Sequence, residues 1–147
     1  MPNPQPFTLT RNYSYLAKKL LTDDVEIYTV EGYSTREETK KVTALWDTGA
    51  TSSAISWRLY KGMNLIHRDF RPVNSVHSTR WDPILYISIG LPAQNGVKKI
   101  EKVMVTVCNL IKGIDLIIGM DIIQYGDFAI SNSGGKTLFS FTIPPTE

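Results

Sequence analysis

The chain predicts an all-β domain, closed into a barrel or stacked as a sandwich, and three observations carry that expectation. Short runs rich in β-branched and aromatic residues recur along its length. Turn-forming clusters separate them, twice in a form that reads as a hairpin. Helix start and stop signals occur at two places only, each with room for a few residues. The 147 residues suit one domain with its own core, and 42% hydrophobic with 20% charged residues is the balance of a globular protein, not of a disordered or membrane-embedded one.

Taken in order, the chain opens on Pro2, Pro4 and Pro6, which predict a loose leader. Tyr13 to Leu21 fits either a strand or a helical turn, and its periodicity does not decide. Val25 to Val30 alternates Val25 and Ile27 with polar neighbours, as a half-buried strand does, before the turn Glu31-Gly32-Tyr33-Ser34. A second strand is expected from Thr39 to Trp46 and a third, shorter one over Ser53 to Ser56. Ser56 is then placed to cap a helix through Trp57 to Lys61 that Gly62 ends.

Leu65 to Pro83 has no clear period and reads as a long excursion or irregular hairpin. Ile84 to Leu91 and Val97 to Val107 flank a turn containing Asn95-Gly96, which predicts an antiparallel pair. Ile114 to Gly119 is an apolar strand ending in glycine, and Met120 to Tyr125 a short helix stopped by Gly126. Asp127 to Ser131 and Lys136 to Ile143, joined through Gly134-Gly135, form the second expected hairpin, with Phe139, Phe141 and Ile143 on one face. Pro144 and Pro145 suggest a loose end.

Several function classes are set aside. A net charge of +2, with lysines dispersed as Lys18-Lys19, Lys40-Lys41 and Lys98-Lys99, makes no block for nucleic acid. Cys108 is the one cysteine, so no internal disulfide forms, and its apolar surroundings read as a buried structural thiol. No secretory signal and no stretch of transmembrane length are visible, which makes a cytoplasmic location and no membrane partner the default. His67 and His77 lie in no nucleophile context, and with Cys108 they show no short ligand spacing, so neither a metal nor another cofactor is expected.

One motif carries chemistry. Ala44-Leu45-Trp46 runs into Asp47-Thr48-Gly49-Ala50, an acid just past a hydrophobic strand, followed by a small hydroxyl residue and a conformationally free glycine. Asp-Thr-Gly is also ordinary turn vocabulary, so context must decide between an acid and a turn. The context is Leu116-Ile117-Ile118-Gly119, followed by Met120-Asp121-Ile122-Ile123.

With both segments in place, the chain resembles the retropepsin-like aspartic proteases, the single-domain family of retroviral, retroelement and related cellular or bacterial enzymes. The resemblance spans about Val25 to Ile130, and the ending Gly119-Met120-Asp121-Ile122 is similar to retroelement and cellular or bacterial members. It implies a closed, barrel-like retropepsin (acid protease) fold with one or two short helices. It also implies a division into residues 1–24 as leader or dimer-contacting segment, 25–143 as protease domain and 144–147 as tail. The implied activity is an aspartic endopeptidase whose Asp47 meets its symmetry mate in a homodimer and activates water. In this reading Thr48 hydrogen-bonds across the interface, Gly49 offers its carbonyl to a protein or peptide substrate, and Gly119 lets the second segment pass beside the loop. Ala50 brings no hydroxyl to the acids, so a mildly acidic optimum is expected.

Two departures accompany the resemblance. Viral members carry an acidic residue after the alanine and an arginine after the later glycine, a pair that helps hold the dimer; here the positions are Thr51 and Met120. Both partners are replaced, so no charge is stranded. The substrate-covering flap, Phe70 to Trp81, contains no glycine; His77 and Trp81 are candidates to line the cleft there, against plainer readings as a solvent-facing histidine and a packed tryptophan. A catalytically inactive dimerisation or peptide-binding module is the alternative function.

Overall fold

Strand formation begins earlier than the turn signals suggest. The computed structural model describes residues 5–146, so Pro2 and Pro4 of the expected leader and Glu147 of the tail lie outside the described residues. Strand β1 (Phe7–Asn12) pairs antiparallel along its whole length with β10 (Leu138–Ile143), whose other edge carries β9 (Asp127–Ser131). Leu9, Phe139 and Phe141 are all fully buried by this three-stranded sheet. Residues 7–12 are therefore ordered by long-range pairing, which a local reading of a proline-flanked segment does not reveal.

The stretch from Tyr13 to Leu21 resolves into a connection followed by the first residues of β2 (Leu20–Thr29). Thr137 holds the connection: its hydroxyl accepts from the Ala17 amide at 2.8 Å, and its backbone pairs with Tyr13 and Tyr15. The Tyr13 hydroxyl closes the loop, accepting from the Leu21 amide and donating to the Leu21 carbonyl. β2 is longer than Val25 to Val30 because a bulge between Thr22 and Val25, with Asp24 at φ 59°, joins two paired stretches on β3.

The other expected strands and helices are found. They are β3 (Thr39–Trp46), β4 (Ala54–Ser56), α1 (Trp57–Gly62), β5 (Asp69–Asn74), β6 (Thr79–Ala93), β7 (Gly96–Cys108), β8 (Leu116–Ile118) and α2 (Met120–Ile123). Of these, β6 and β7 are longer than expected, α1 runs through Gly62, and β4, β8 and α2 are shorter. Ser56 caps α1 by accepting from the Leu59 amide at 3.0 Å. The β6–β7 hairpin is tighter than the spacing of the apolar runs implies: Ala93 pairs with Gly96, and Gly96 takes φ 125°. In the β9–β10 hairpin, Gly134 and Gly135 both adopt positive φ within a short 3-10 turn.

Six strands, in the order β2-β3-β8-β4-β7-β6, close on themselves because β2 also pairs with β6. The architecture is the expected all-β, barrel-like one, with β5 hanging from β6 outside the closed ring. Val25, Ile27, Ile87, Ile89, Leu116 and Ile118 fill the interior with no measurable exposure. α2 ends at Ile123, short of the expected Tyr125, and Gly126 beyond it is required by packing: a Cβ there would stand 2.4 Å from the Thr142 carbonyl oxygen. The tail is tied as well, since the Thr146 amide and hydroxyl both donate to Asp127 Oδ2 at 2.8 Å and hold that carboxyl below the usual carboxylate range. Among the described residues no helix is long and apolar enough to cross a membrane.

Trp46 marks the junction of barrel and sheet. Its ring packs on Phe128, Phe139 and Phe141, with centroids 5.0–6.0 Å away, and its indole N–H donates to the buried Thr22 hydroxyl at 2.9 Å. Thr22→Val removes the acceptor and leaves a buried donor unpaired. Urea denaturation should show a loss of about 1–3 kcal/mol, with the slope of the transition unchanged.

Candidate active site

The acid loop straddles a strand. β3 enters the loop and β4 leaves it, and β8 lies between them, parallel to β3 and antiparallel to β4. Antiparallel neighbours joined by a short hairpin would leave no room for β8. The loop must instead pass over the end of β8, and two backbone bonds lock the crossing: the Asp47 amide donates to the Ile118 carbonyl at 2.9 Å, and the Met120 amide to the Ala50 carbonyl at 2.8 Å.

Gly119 sits where the two chain segments pass. A Cβ built on it would lie 2.8 Å from the Ala50 carbonyl oxygen and 2.9 Å from the Ser52 carbonyl carbon, both backbone atoms that cannot swing aside. Its φ of −96° is open to any residue, so the requirement is space and not conformation. Its amide donates to the Ser53 hydroxyl at 3.1 Å.

Within the loop, Asp47 is half-buried, and Oδ1 accepts from the Gly49 amide at 2.9 Å, the Asx-type contact that holds a carboxylate against its own turn. The Ala50 amide closes the turn on the Asp47 carbonyl at 3.2 Å. Thr48 and Gly49 are exposed at the tip, and Ala50 is half-buried. Beside the acid runs an open groove of about 490 Å³, lined by Lys19, Leu20, Asp47, Thr48, Phe128 and Ile130 among others.

Sequence reasoning missed Ser53 and Asp121. Ser53 has no solvent exposure; its hydroxyl donates to Asp121 Oδ1 at 2.8 Å and its amide to Asp121 Oδ2 at 2.9 Å. Oδ1 also accepts from the Ile122 amide in the first turn of α2, where a negative charge is favourable. Asp121 thus clamps the far side of the acid loop to the segment that threads beneath it. The available signal was Asp121 one position after Met120, an acid in an otherwise apolar segment; nothing local linked it to Ser53, 68 residues away.

The excursion is a flap-like antiparallel hairpin of β5 with the start of β6, turning through Ser75 to Ser78. Every residue from Arg68 to Trp81 is exposed. His77 lies in the turn and Trp81 is 61% exposed, opposite Pro72; neither lines the groove beside Asp47, and Trp81 is not packed as a tryptophan at a hairpin base would be. Arg71 instead reaches the acid loop, donating to the Ser52 hydroxyl at 2.7 Å. At the end of β7, Cys108 is half-buried, and burial pushes its thiol up, as suits a structural cysteine.

Among solved structures the chain is similar to a retropepsin-like aspartic protease from Rickettsia conorii, with 10% sequence identity, coverage of 97% of this chain and 98% of that one, and a TM-score of 0.61. No protein-family model and no curated protein matches the sequence. At this identity the likeness is one of fold: all-β, two short helices and a closed barrel in the retropepsin-like arrangement.

Gly119→Ala should force the loop off β8 and cost about 1–3 kcal/mol by crowding. Asp121→Ala should cost a similar amount by leaving the Ser53 amide and hydroxyl without their acceptor, while Asp121→Asn, which keeps one carbonyl oxygen, should recover part of it. Chemical denaturation of the three variants measures both effects. Equal losses for the two Asp121 variants would show that the acceptor is not what matters.

Proposed function

We propose that the chain is an aspartic endopeptidase that acts as a homodimer. The observation that carries this reading is the braced presentation of Asp47: a carboxylate at the end of a core strand, on a loop tied to β8 by backbone bonds and to α2 by Asp121, beside an open groove. A turn with no chemical role does not need so many ties. The retropepsin-like fold adds support, because it is the scaffold of a known aspartic protease.

The chain holds one Asp-Thr-Gly loop, and peptide hydrolysis by acids needs two carboxylates. A second copy related by a two-fold axis supplies the other. Thr48, exposed at the loop tip, is free to bond across the axis, and the groove beside Asp47 leaves Leu20 and Ile130 open to the partner. Two acids at about 3 Å share one proton, since both cannot ionise cheaply. The ionised member takes a proton from the water between them, and the protonated member polarises the scissile carbonyl. The water oxygen adds to that carbonyl, and proton return to the amine completes cleavage with no covalent intermediate.

The exposed, glycine-free flap is the feature that favours the second reading, an inactive dimerisation or peptide-binding module. Casein cleavage by wild type and Asp47→Asn separates the two. Asp47→Asn should lower the rate by about three orders of magnitude, with pepstatin inhibiting the wild type. Cleavage that survives the substitution removes the dyad.

Sedimentation of the wild type should show a concentration-dependent dimer. Because Ala50 offers no hydroxyl to stabilise the ionised acids, the rate should peak at mildly acidic pH; a rate still climbing where ordinary carboxylates are fully protonated would count against this mechanism.

A further inference from the structure

The flap has two chemically distinct faces. In an antiparallel ladder, directly opposed residues share a face and successive residues alternate. The register therefore puts Phe70, Pro72, Trp81 and Pro83 on one side, and Arg71, Val73, Arg80 and Asp82 on the other. The second side looks toward the acid loop, because Arg71 reaches Ser52 on that loop. That face carries two guanidinium groups, of which Arg71 reaches the loop.

Their charges are not equally satisfied. Arg80 is paired with the buried Asp82, through contacts of 2.7 and 3.2 Å. Asp69, next on the same face, turns back and accepts from the Phe70 amide at 2.8 Å. Arg71 makes no ion pair among the described residues, and its partner is the neutral Ser52 hydroxyl at 2.7 Å. A hydroxyl that accepts one bond keeps its own proton to donate. Arg71 and Ser52 therefore converge as two donors, one of them cationic, where the flap meets the acid loop, and neither bonds a carboxylate, since Asp82, directly opposite Arg71 in the ladder, is taken by Arg80.

We propose that Arg71, seconded by Ser52, is a specificity-determining residue that selects substrates carrying an aspartate or glutamate side chain where the flap meets the acid loop. The inference rests on the peptide cleft of the proposed function. The substrate carboxylate accepts a charge-assisted bond from the Arg71 guanidinium and a second bond from the Ser52 hydroxyl, anchoring the peptide while tying the flap down over it. A flap without glycine then closes on a charge contact at its strand and not through a pliable tip.

The test is a displayed library of random octapeptides selected on immobilised, full-length Asp47→Asn protein, which holds peptides without cutting them. Asp and Glu should be enriched about fivefold at one position, in keeping with a partly exposed charge pair. Arg71→Ala should abolish the enrichment, and Arg71→Glu should turn it toward Lys and Arg, a reversal that loss of a merely structural contact would not produce. No enrichment, enrichment unchanged by either substitution, or a library from which nothing is retained would each overturn the proposal. Cleavage of the same library by wild type is scored separately, so a failure of the protease reading is distinguishable from a failure of Arg71 to select.

Discussion

The passage of β8 between the two strands of the acid loop is the constraint on which the rest of the site depends. A loop that bridges a third strand cannot collapse into a hairpin, so it stands proud of the barrel end and carries Asp47 with it. The crossing brings two backbones together, and the Ala50 and Ser52 main-chain atoms leave no volume for a side chain at Gly119. The bonds made there, from Asp47 to Ile118 and from Met120 to Ala50, satisfy main-chain groups that the interrupted ladder would otherwise strand.

Around that crossing, polar contacts are few and specific. Ser53 and Asp121 secure the exit of the loop, and Thr22 with Trp46 secures its entry from the opposite side of β3. Each joins residues far apart in sequence, and each buries a donor that has one acceptor. The Ser53–Asp121 contact lies within the chain, so it stabilises the loop without a partner. In the homodimer we propose, Thr51 and Met120 offer no charge pair of the kind viral retropepsins use, and the open groove beside Asp47 is the surface adjacent to the acid.

Burial is unevenly distributed. The barrel interior is filled by β-branched and aliphatic side chains without exposure, whereas the β5–β6 hairpin has no buried residue between Arg68 and Trp81. Elements with few buried contacts open at low free-energy cost. The Arg71–Ser52 bond joins the mobile-prone element to the braced one, and it does so through a charge that water can partly screen.

Much of the fold was legible because it rests on local chemistry. Alternation in Val25 to Val30, the Ser56 cap, the glycine-bearing hairpins and the apolar run before Gly119 each leave a mark within a few residues, and the corresponding elements are present. Asp47 and Gly119 stood out in the same way, as short motifs with a mechanism attached. Tertiary structure alone decided the rest. The pairing of β1 with β10, the bulge that lengthens β2, the clasp of Asp121 on Ser53 and the reach of Arg71 to Ser52 all depend on partners distant in the chain. Sequence periodicity records which face a residue turns inward, but not what stands opposite it. For a site assembled where one strand threads between two others, what stands opposite is the site.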